Sequence, residues 1–376
     1  MESLDNLRGR LDQIDDQITR LYEERMDVCK QVGEYKVTAG RKVFDRQREK
    51  EKLADVAGKV HGEFNKKGVQ ELYQQLMSMS RKLQYQMLVE AGALGRLPFI
   101  QIDDIDRKNA RVVFQGTEGA YGQAAMKQFF GEDVNSFHVR TFRDAMEAIE
   151  EGAADYAVLP IENSTAGPVI EMYDLLDEFE NYIVAETILP IVHTLSGLPN
   201  AQLSDIQQVY SKTEALMQTS RFLDEHGDWQ KISVVNTAIA AKKVLDDQKI
   251  SQAAVCSSYA AKVHGLKVLV NGINDDADNS TRFIVVTNQK IFLKNASKIS
   301  IRFELPHQSG SLYGVLSHFI YNNLNMTKIE SRPIKGRPWE YCFFVDFEGN
   351  LEEPAVKNAI RGLREETINL NILGNY

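Results

Sequence analysis

The sequence predicts a multidomain protein: an all-α helical module, then an α/β domain, then a small C-terminal α+β module of ferredoxin-like order. Three observations predict it. Roughly the first ninety residues carry their apolar positions at helical spacing only. From Arg111 short β-branched runs alternate with amphipathic stretches, and the last eighty or so residues run strand, helix, strand, strand, helix, strand. A chain of 376 residues with 43% hydrophobic content has room for several such domains.

In the first module, Leu4, Leu7, Leu11, Ile14, Ile18, Leu21, Arg25, Val28 and Val32 alternate by threes and fours, so one long helix reaches to about residue 37. Arg25 stands at an inner position of that seam, and a buried cation is costly unless an anion meets it. Arg8 follows Leu7 and Lys36 follows Tyr35, which marks a pocket for an anion inside a helical assembly. A turn at Gly40 leads to a second helix with Asp45 as its N-cap. A third spans about Val69 to Ala93 on Val69, Leu72, Leu76, Met79, Leu83 and Met87. The helical domain is thus expected over 1–95, with a linker over 96–110 where the pattern breaks.

The α/β domain is expected over 111–289 as one or two lobes with a largely parallel sheet. Its strand candidates include Tyr182 to Glu186, Ile191 to Leu195, Gln208 to Ser211, Ile232 to Val235 and Arg282 to Thr287. The βαββαβ module is expected over 297–376.

Composition excludes several functions. A net charge of -9 without a long Lys/Arg run argues against nucleic acid. The opening Met-Glu-Ser-Leu-Asp has no signal-peptide character, and no stretch approaches the ~20 apolar residues of a membrane span, so a soluble cytoplasmic protein that binds no membrane is expected. Cys29, Cys256 and Cys342 form no Cys-x-x-Cys, and no His-Glu-x-x-His occurs, so no metal is expected. Gly116 to Gly122 reads G-x-x-G-x-x-G without the Gly-Lys-Ser/Thr of a nucleotide loop, which leaves no cofactor implied.

Asp45, Arg48 and Glu49 share one face of the second helix, as Ser80 and Gln84 do on the third. With Arg8, Arg25 and Lys36 they form a set of cations and donors holding no activated Ser or Cys and no His, suited to a dianion and to electrostatic catalysis. Arg8 and Arg25 lie roughly 26 Å apart along one helix at 1.5 Å per residue. If both serve one pocket, a second protomer supplies one of them, which predicts a homodimer or a higher even oligomer with composite sites. The alternative is a plain dimerising coiled coil whose Arg25 sets register.

The joint pattern Leu7-Arg8, Glu24-Arg25, Val32-Gly33-Glu34-Tyr35-Lys36, Asp45-Arg46-Gln47-Arg48-Glu49 and Ser80 through Gln84 resembles the all-helical chorismate mutase family. The resemblance implies that Arg25 and a partner's Arg8 hold the carboxylates of chorismate, that Lys36 and Gln84 hydrogen-bond the ether oxygen, that Glu49 and Asp45 orient the ring hydroxyl, and that Arg48 and Ser80 complete the pocket.

In the α/β segment, Gly116 to Gly122, the run Glu162-Asn163-Ser164-Thr165 and the cluster Asn279-Ser280-Thr281-Arg282-Phe283 together resemble the prephenate dehydratase family. That implies a two-lobed, periplasmic-binding-protein-like domain in which prephenate loses water and carbon dioxide to give phenylpyruvate, with Thr281 as proton donor. Asn163, Ser164, Thr165 and Arg282 would bind carboxylates or orient Thr281; Arg282 is alternatively a structural ion-pair residue. Where the family reads Ser-His-Pro-Gln this chain has Ser211-Lys212-Thr213-Glu214, so Ser211 alone carries over as a substrate contact.

Glu330-Ser331-Arg332-Pro333 and Trp339 resemble the phenylalanine-binding pattern of the family's regulatory ACT domain. Gly310-Ser311-Leu312-Tyr313 stands where Gly-Ala-Leu-Val is usual, and the effector site implied is Gly310, Ser311, Leu312 and Glu330 to Pro333. The whole chain therefore resembles a bifunctional enzyme of phenylalanine biosynthesis. The rival reading is a dimeric metabolite-sensing regulator without turnover.

Overall fold

The computed structural model describes residues 2–91 and 97–376; Met1 and 92–96 lie outside the described residues. The chain divides into two compact units, Met1–Leu97 with Ile301–Asn371, and Pro98–Ser300 with Ile372–Tyr376.

The first unit begins with three helices, α1 (Leu4–Ala39), α2 (Arg46–Ala57) and α3 (Glu63–Glu90). Ser3 caps α1 by accepting from the Asn6 amide, and Gly40 ends it in the left-handed region at φ 61°. Asp45 caps α2 through the Arg48 amide, as its position in the sequence predicts. The third helix starts six residues earlier than its apolar spacing indicates. Residues 63–68 are polar apart from Phe64, so they add helical turns without adding to the seam. Gly33 sets the distance between α1 and α3: a Cβ there would lie 2.8 Å from Met87 Sδ and 3.1 Å from Gln84 Cγ. Among the described residues the apolar seam of α1 is largely uncovered, Leu11 being 58% and Ile18 55% exposed.

The same unit contains the βαββαβ module. Its strands lie in the order Met326–Pro333, Tyr341–Glu348, Lys298–Glu304, Ile368–Asn375, the ferredoxin-like arrangement. Helices Ser311–Tyr321 and Pro354–Glu366 pack against each other, and the second also packs against α3. Phe303, Phe319, Phe347 and Leu363 are fully buried in this module.

The second unit is a two-lobed α/β core. One lobe orders its strands Tyr182–Pro190, Ser280–Thr287, Tyr156–Asn163, Arg111–Gln115, Asn135–Val139; the other orders Lys267–Asn271, Thr194–Gly197, Gln252–Cys256, Gln208–Ser211, Gln230–Ser233. Both sheets are mixed, each with two parallel and two antiparallel strand pairings. In each, four strands run one way and a single strand, Ser280–Thr287 in one lobe and Thr194–Gly197 in the other, runs against them, because it is the strand by which the chain enters that lobe from its neighbour. The strand expected at Ile191 to Leu195 begins only at Thr194. The linker expected over 96–110 begins at residue 96, which lies outside the described residues; within its described part, Ile100–Ile102 is a strand paired in parallel with Ile291–Leu293. Among the described residues, no helix is long and apolar enough to cross a membrane.

Candidate active sites

Helices α1 and α3 bring Arg25 and Ser80 together. Arg25 donates from one nitrogen to Ser80 Oγ at 2.6 Å and to the Leu76 carbonyl at 3.1 Å, while Ser80 donates its own proton to that carbonyl at 2.7 Å. No acidic side chain pairs with Arg25 among the described residues, so the half-buried guanidinium keeps an unneutralised charge. Nearby on the same two helices, Gln84 is buried and its Oε1 has no partner. Lys36 donates from Nζ to the Val43 carbonyl at 2.7 Å. Burial pushes the Lys36 ammonium below its ordinary pKa, against the opposing charges of Asp45, Glu365 and Glu49 and the Cys29 thiol. The acid-free Arg25 and the half-buried Lys36 ammonium are cationic donors suited to an anionic ligand, and the unpartnered Gln84 Oε1 marks a buried polar position on the same pair of helices.

Other expected members are placed differently. Asp45 and Arg48 are exposed, Asp45 spending one carboxylate oxygen on the α2 cap. Arg8 is largely exposed and its nearest anion is Asp5 at 3.7 Å, so it does not meet Arg25 within one chain. Glu49 is gripped at Oε1 by Arg81, and Arg81 in turn bonds Glu366 Oε1 at 2.8 Å. Glu49 and Arg81 line a cavity of about 660 Å³ whose wall includes Gly310 and Ser311 but not Arg25, Lys36, Ser80 or Gln84.

In the core, the register of two antiparallel strands sets Asn163 opposite Thr281. The Asn163 amide donates to Thr281 Oγ1 at 2.9 Å, to Asn279 Oδ1 at 2.8 Å and to the Ser280 carbonyl at 3.0 Å. Its Oδ1 accepts from the Thr165 hydroxyl at 2.8 Å and from the Thr165 and Ala166 amides. Ser164 closes the loop onto the Ser280 amide at 2.9 Å. Since Asn163 donates to it, the nearly buried Thr281 hydroxyl has its own proton free to offer elsewhere.

Two assignments are corrected here. Ser211 is completely buried and donates to the Val255 carbonyl at 2.6 Å, so its hydroxyl links neighbouring strands instead of facing a ligand. Arg282 is an ion-pair residue, bonded to Glu162 and Glu186 at 3.2 Å each; its side chain points to the face opposite that of Thr281, as alternation along a strand requires. Arg282→Ala is accordingly expected to cost about 2 kcal/mol of stability, because Glu162 and Glu186 lose the cation between them and Glu186 keeps only Lys298 among the described residues. A lowered urea midpoint checks this, and an unchanged midpoint overturns it.

The sequence did not reveal a further chain of contacts. Gln218 donates to Thr165 Oγ1 at 3.2 Å, its Oε1 lies 3.0 Å from His193 Nε2, and His193 Nδ1 lies 3.1 Å from the Tyr121 hydroxyl. Burial holds the His193 imidazole below its ordinary pKa, hence neutral near pH 7. No local spacing links residues 121, 165, 193 and 218; only lobe packing does.

In the C-terminal module Gly310 adopts φ 82° as the N-cap of its helix, and Ser311 bonds the Pro306 and Gln308 carbonyls. A cavity of about 390 Å³ is lined by Ser311, Leu312 and Trp339, but not by Glu330, Ser331, Arg332 or Pro333, which lie on the edge strand of the sheet. The two expected halves of an effector site are thus separate in one chain.

A cationic helical pocket without a nucleophile, and a core cluster that presents a threonine hydroxyl, define a multidomain enzyme with two sites for small anions. Family models agree in both places: chorismate mutase type II matches residues 7–85 and prephenate dehydratase residues 112–291. The bifunctional chorismate mutase/prephenate dehydratase of Aquifex aeolicus is 32% identical across 100% of this chain and 98% of its own length. That of Escherichia coli is 31% identical over 98% and 95%. The prephenate dehydratase of Arthrobacter aurescens, solved in complex with L-Phe, superposes with a TM-score of 0.66 at 31% identity over 71% of this chain and 89% of that one. The chain belongs to the bifunctional chorismate mutase/prephenate dehydratase family.

Proposed function

We propose that the helical module converts chorismate to prephenate and that the α/β core converts prephenate to phenylpyruvate, two successive steps toward L-phenylalanine. The observation that carries the first is the acid-free Arg25 on the same pair of helices as the unpartnered Gln84 Oε1 and the half-buried Lys36. The rearrangement breaks the ether C–O bond as a C–C bond forms, with no proton to move, so a site of fixed donors is sufficient. Arg25 binds a carboxylate, Lys36 and Gln84 stabilise charge on the ether oxygen, and Glu49 with Asp45 directs the ring hydroxyl. Arg48 and Ser80 finish the pocket.

In the core, the carboxylate leaves as carbon dioxide, its electrons enter the ring and the hydroxyl departs. Thr281 protonates that oxygen to water and is reprotonated from solvent, so one proton is consumed per turnover. Asn163, Ser164 and Thr165 hold the hydroxyl in place. A non-catalytic regulator needs neither the Lys36–Gln84 set nor a threonine aimed with its proton free. Chorismate alone, given to the purified chain, is expected to yield phenylpyruvate; recovery of unchanged chorismate overturns the reading.

The exposed seam of α1 supports a homodimer in which a second copy covers it and delivers Arg8 to Arg25. Arg8→Ala and Arg25→Ala are each expected to abolish most mutase turnover. Mixed and re-equilibrated, they should recover up to about a quarter of the intact sites, since each mixed dimer rebuilds one of two. No recovery sinks the shared site. The C-terminal module is proposed to sense phenylalanine, supported by the family's L-Phe-bound relative, with Gly310 to Leu312 and Glu330 to Pro333 contributed by different protomers. The cytoplasm is the proposed setting, supported by the free cysteines Cys29, Cys256 and Cys342.

A further inference from the structure

The last turn of the Pro354–Glu366 helix delivers two carboxylates to the helical module. Glu366 Oε1 accepts from Arg81 Nε at 2.8 Å and lies 3.1 Å from Nε2 of the fully buried His318. Arg81, itself almost buried and stacked 4.9 Å over the Phe44 ring, grips Glu49 Oε1 with its other arm. Glu49 Oε2 is left without a partner among the described residues. Glu365 Oε2 accepts from the Phe44 amide at 3.0 Å and from the Tyr85 hydroxyl at 3.1 Å. The Phe44 amide belongs to the same peptide as the Val43 carbonyl, which holds Lys36 Nζ at 2.7 Å.

We propose that Glu365 and Glu366 are positioning residues of the mutase site, so that the C-terminal module completes a site otherwise built from the N-terminal helices. Glu366 fixes Arg81, which aims Glu49 and leaves one oxygen for the substrate hydroxyl. Glu365 fixes the 43–44 peptide, which aims Lys36. Glu366 is ionised where it acts: burial opposes its charge, but the His318 imidazole beside it and the Arg81 charge outweigh that and hold its carboxyl below the usual range. The groups facing Lys36 are Asp45, Glu49, Glu365 and Cys29, so removing the Glu365 charge takes away one of the influences keeping Lys36 protonated.

This inference rests on Lys36 and Glu49 belonging to the mutase site, and the experiment separates the two. Full-length Glu366→Gln and Glu365→Gln are assayed with chorismate and, separately, with prephenate. Each is expected to lower mutase kcat about tenfold, as a slight misplacement of a catalytic group does, with dehydratase turnover unchanged. Glu365→Gln should also move the alkaline fall of the mutase pH profile to lower pH, which loss of packing alone does not do. Thermal melting verifies that each variant is folded; if one is not, the other carries the test. Wild-type mutase kcat and pH profile in folded variants overturn the proposal, as does a raised kcat. Lys36→Ala and Glu49→Gln serve as controls: if they too leave mutase turnover intact, the site assignment has failed, whereas their loss beside unaffected Glu365→Gln and Glu366→Gln rejects the positioning alone.

Discussion

Lys36→Ala is expected to lower mutase kcat by about 10²–10³-fold, with KM for chorismate changed far less and dehydratase turnover on prephenate untouched. The reason lies in when its hydrogen bond matters. The ether oxygen is a weak acceptor in the substrate and gathers charge only as its bond breaks, so a positioned ammonium stabilises the transition state more than the ground state. The variant also loses one bond to the Val43 carbonyl, at a cost of about 1 kcal/mol, too little to unfold the module. The pH dependence supplies an independent check. Lys36 acts in its charged form, and burial lowers its pKa, so wild-type turnover is full below that value and falls as pH rises through it, earlier than an exposed lysine would dictate. That alkaline limb should vanish in Lys36→Ala. Undiminished turnover in the variant removes Lys36 from the site.

What was legible in the sequence was what depends on spacing along one element. The cap at Asp45, the length of α1, the helical face shared by Ser80 and Gln84, and the order of the βαββαβ module all follow from local periodicity and turn chemistry. Arg25 stands out in the sequence because a charge on an apolar stripe is a local anomaly, and among the described residues no acidic side chain pairs with it. The mixed character of the two sheets was not legible, since strand direction is decided by where the chain crosses between lobes. Ser211 could not be separated from a ligand contact by its motif; only the inward turn of its hydroxyl toward Val255 does so. The carboxylate that completes the clamp on Arg81 comes from Glu366, 285 positions away, and no window along the chain contains both.

The exposed seam teaches the converse. Leu4 to Val32 reads as a core stripe, yet in one chain it faces outward. Periodicity reports that a face must be covered but not by which chain, and an apolar stripe of this length is far more than a soluble monomer ordinarily leaves open. The same ambiguity separates Ser311 and Leu312 from Glu330 to Pro333, two motifs that read as one site and lie apart in the single chain.

Thr281→Val is expected to reduce dehydratase kcat by about 10²-fold while chorismate is still consumed, so that prephenate accumulates. The substitution is close to isosteric, and the amide it leaves behind is not orphaned: Asn163 Nδ2 retains Asn279 Oδ1 at 2.8 Å and the Ser280 carbonyl at 3.0 Å. The fold is therefore expected to survive, and the lost activity reports on the hydroxyl. A threonine is a poor acid in water, so its effect depends on orientation and on exclusion of solvent, with the gain of aromaticity supplying the driving force. Asn163 provides the orientation by occupying one lone pair of Oγ1, which leaves the hydroxyl proton free to be donated elsewhere. Thr281→Ser should keep most of the turnover, because the donor remains and only a methyl group is lost. Equal turnover of prephenate by the valine and serine variants would mean that the hydroxyl is a strand-pairing residue and that the proton reaches the leaving oxygen from elsewhere.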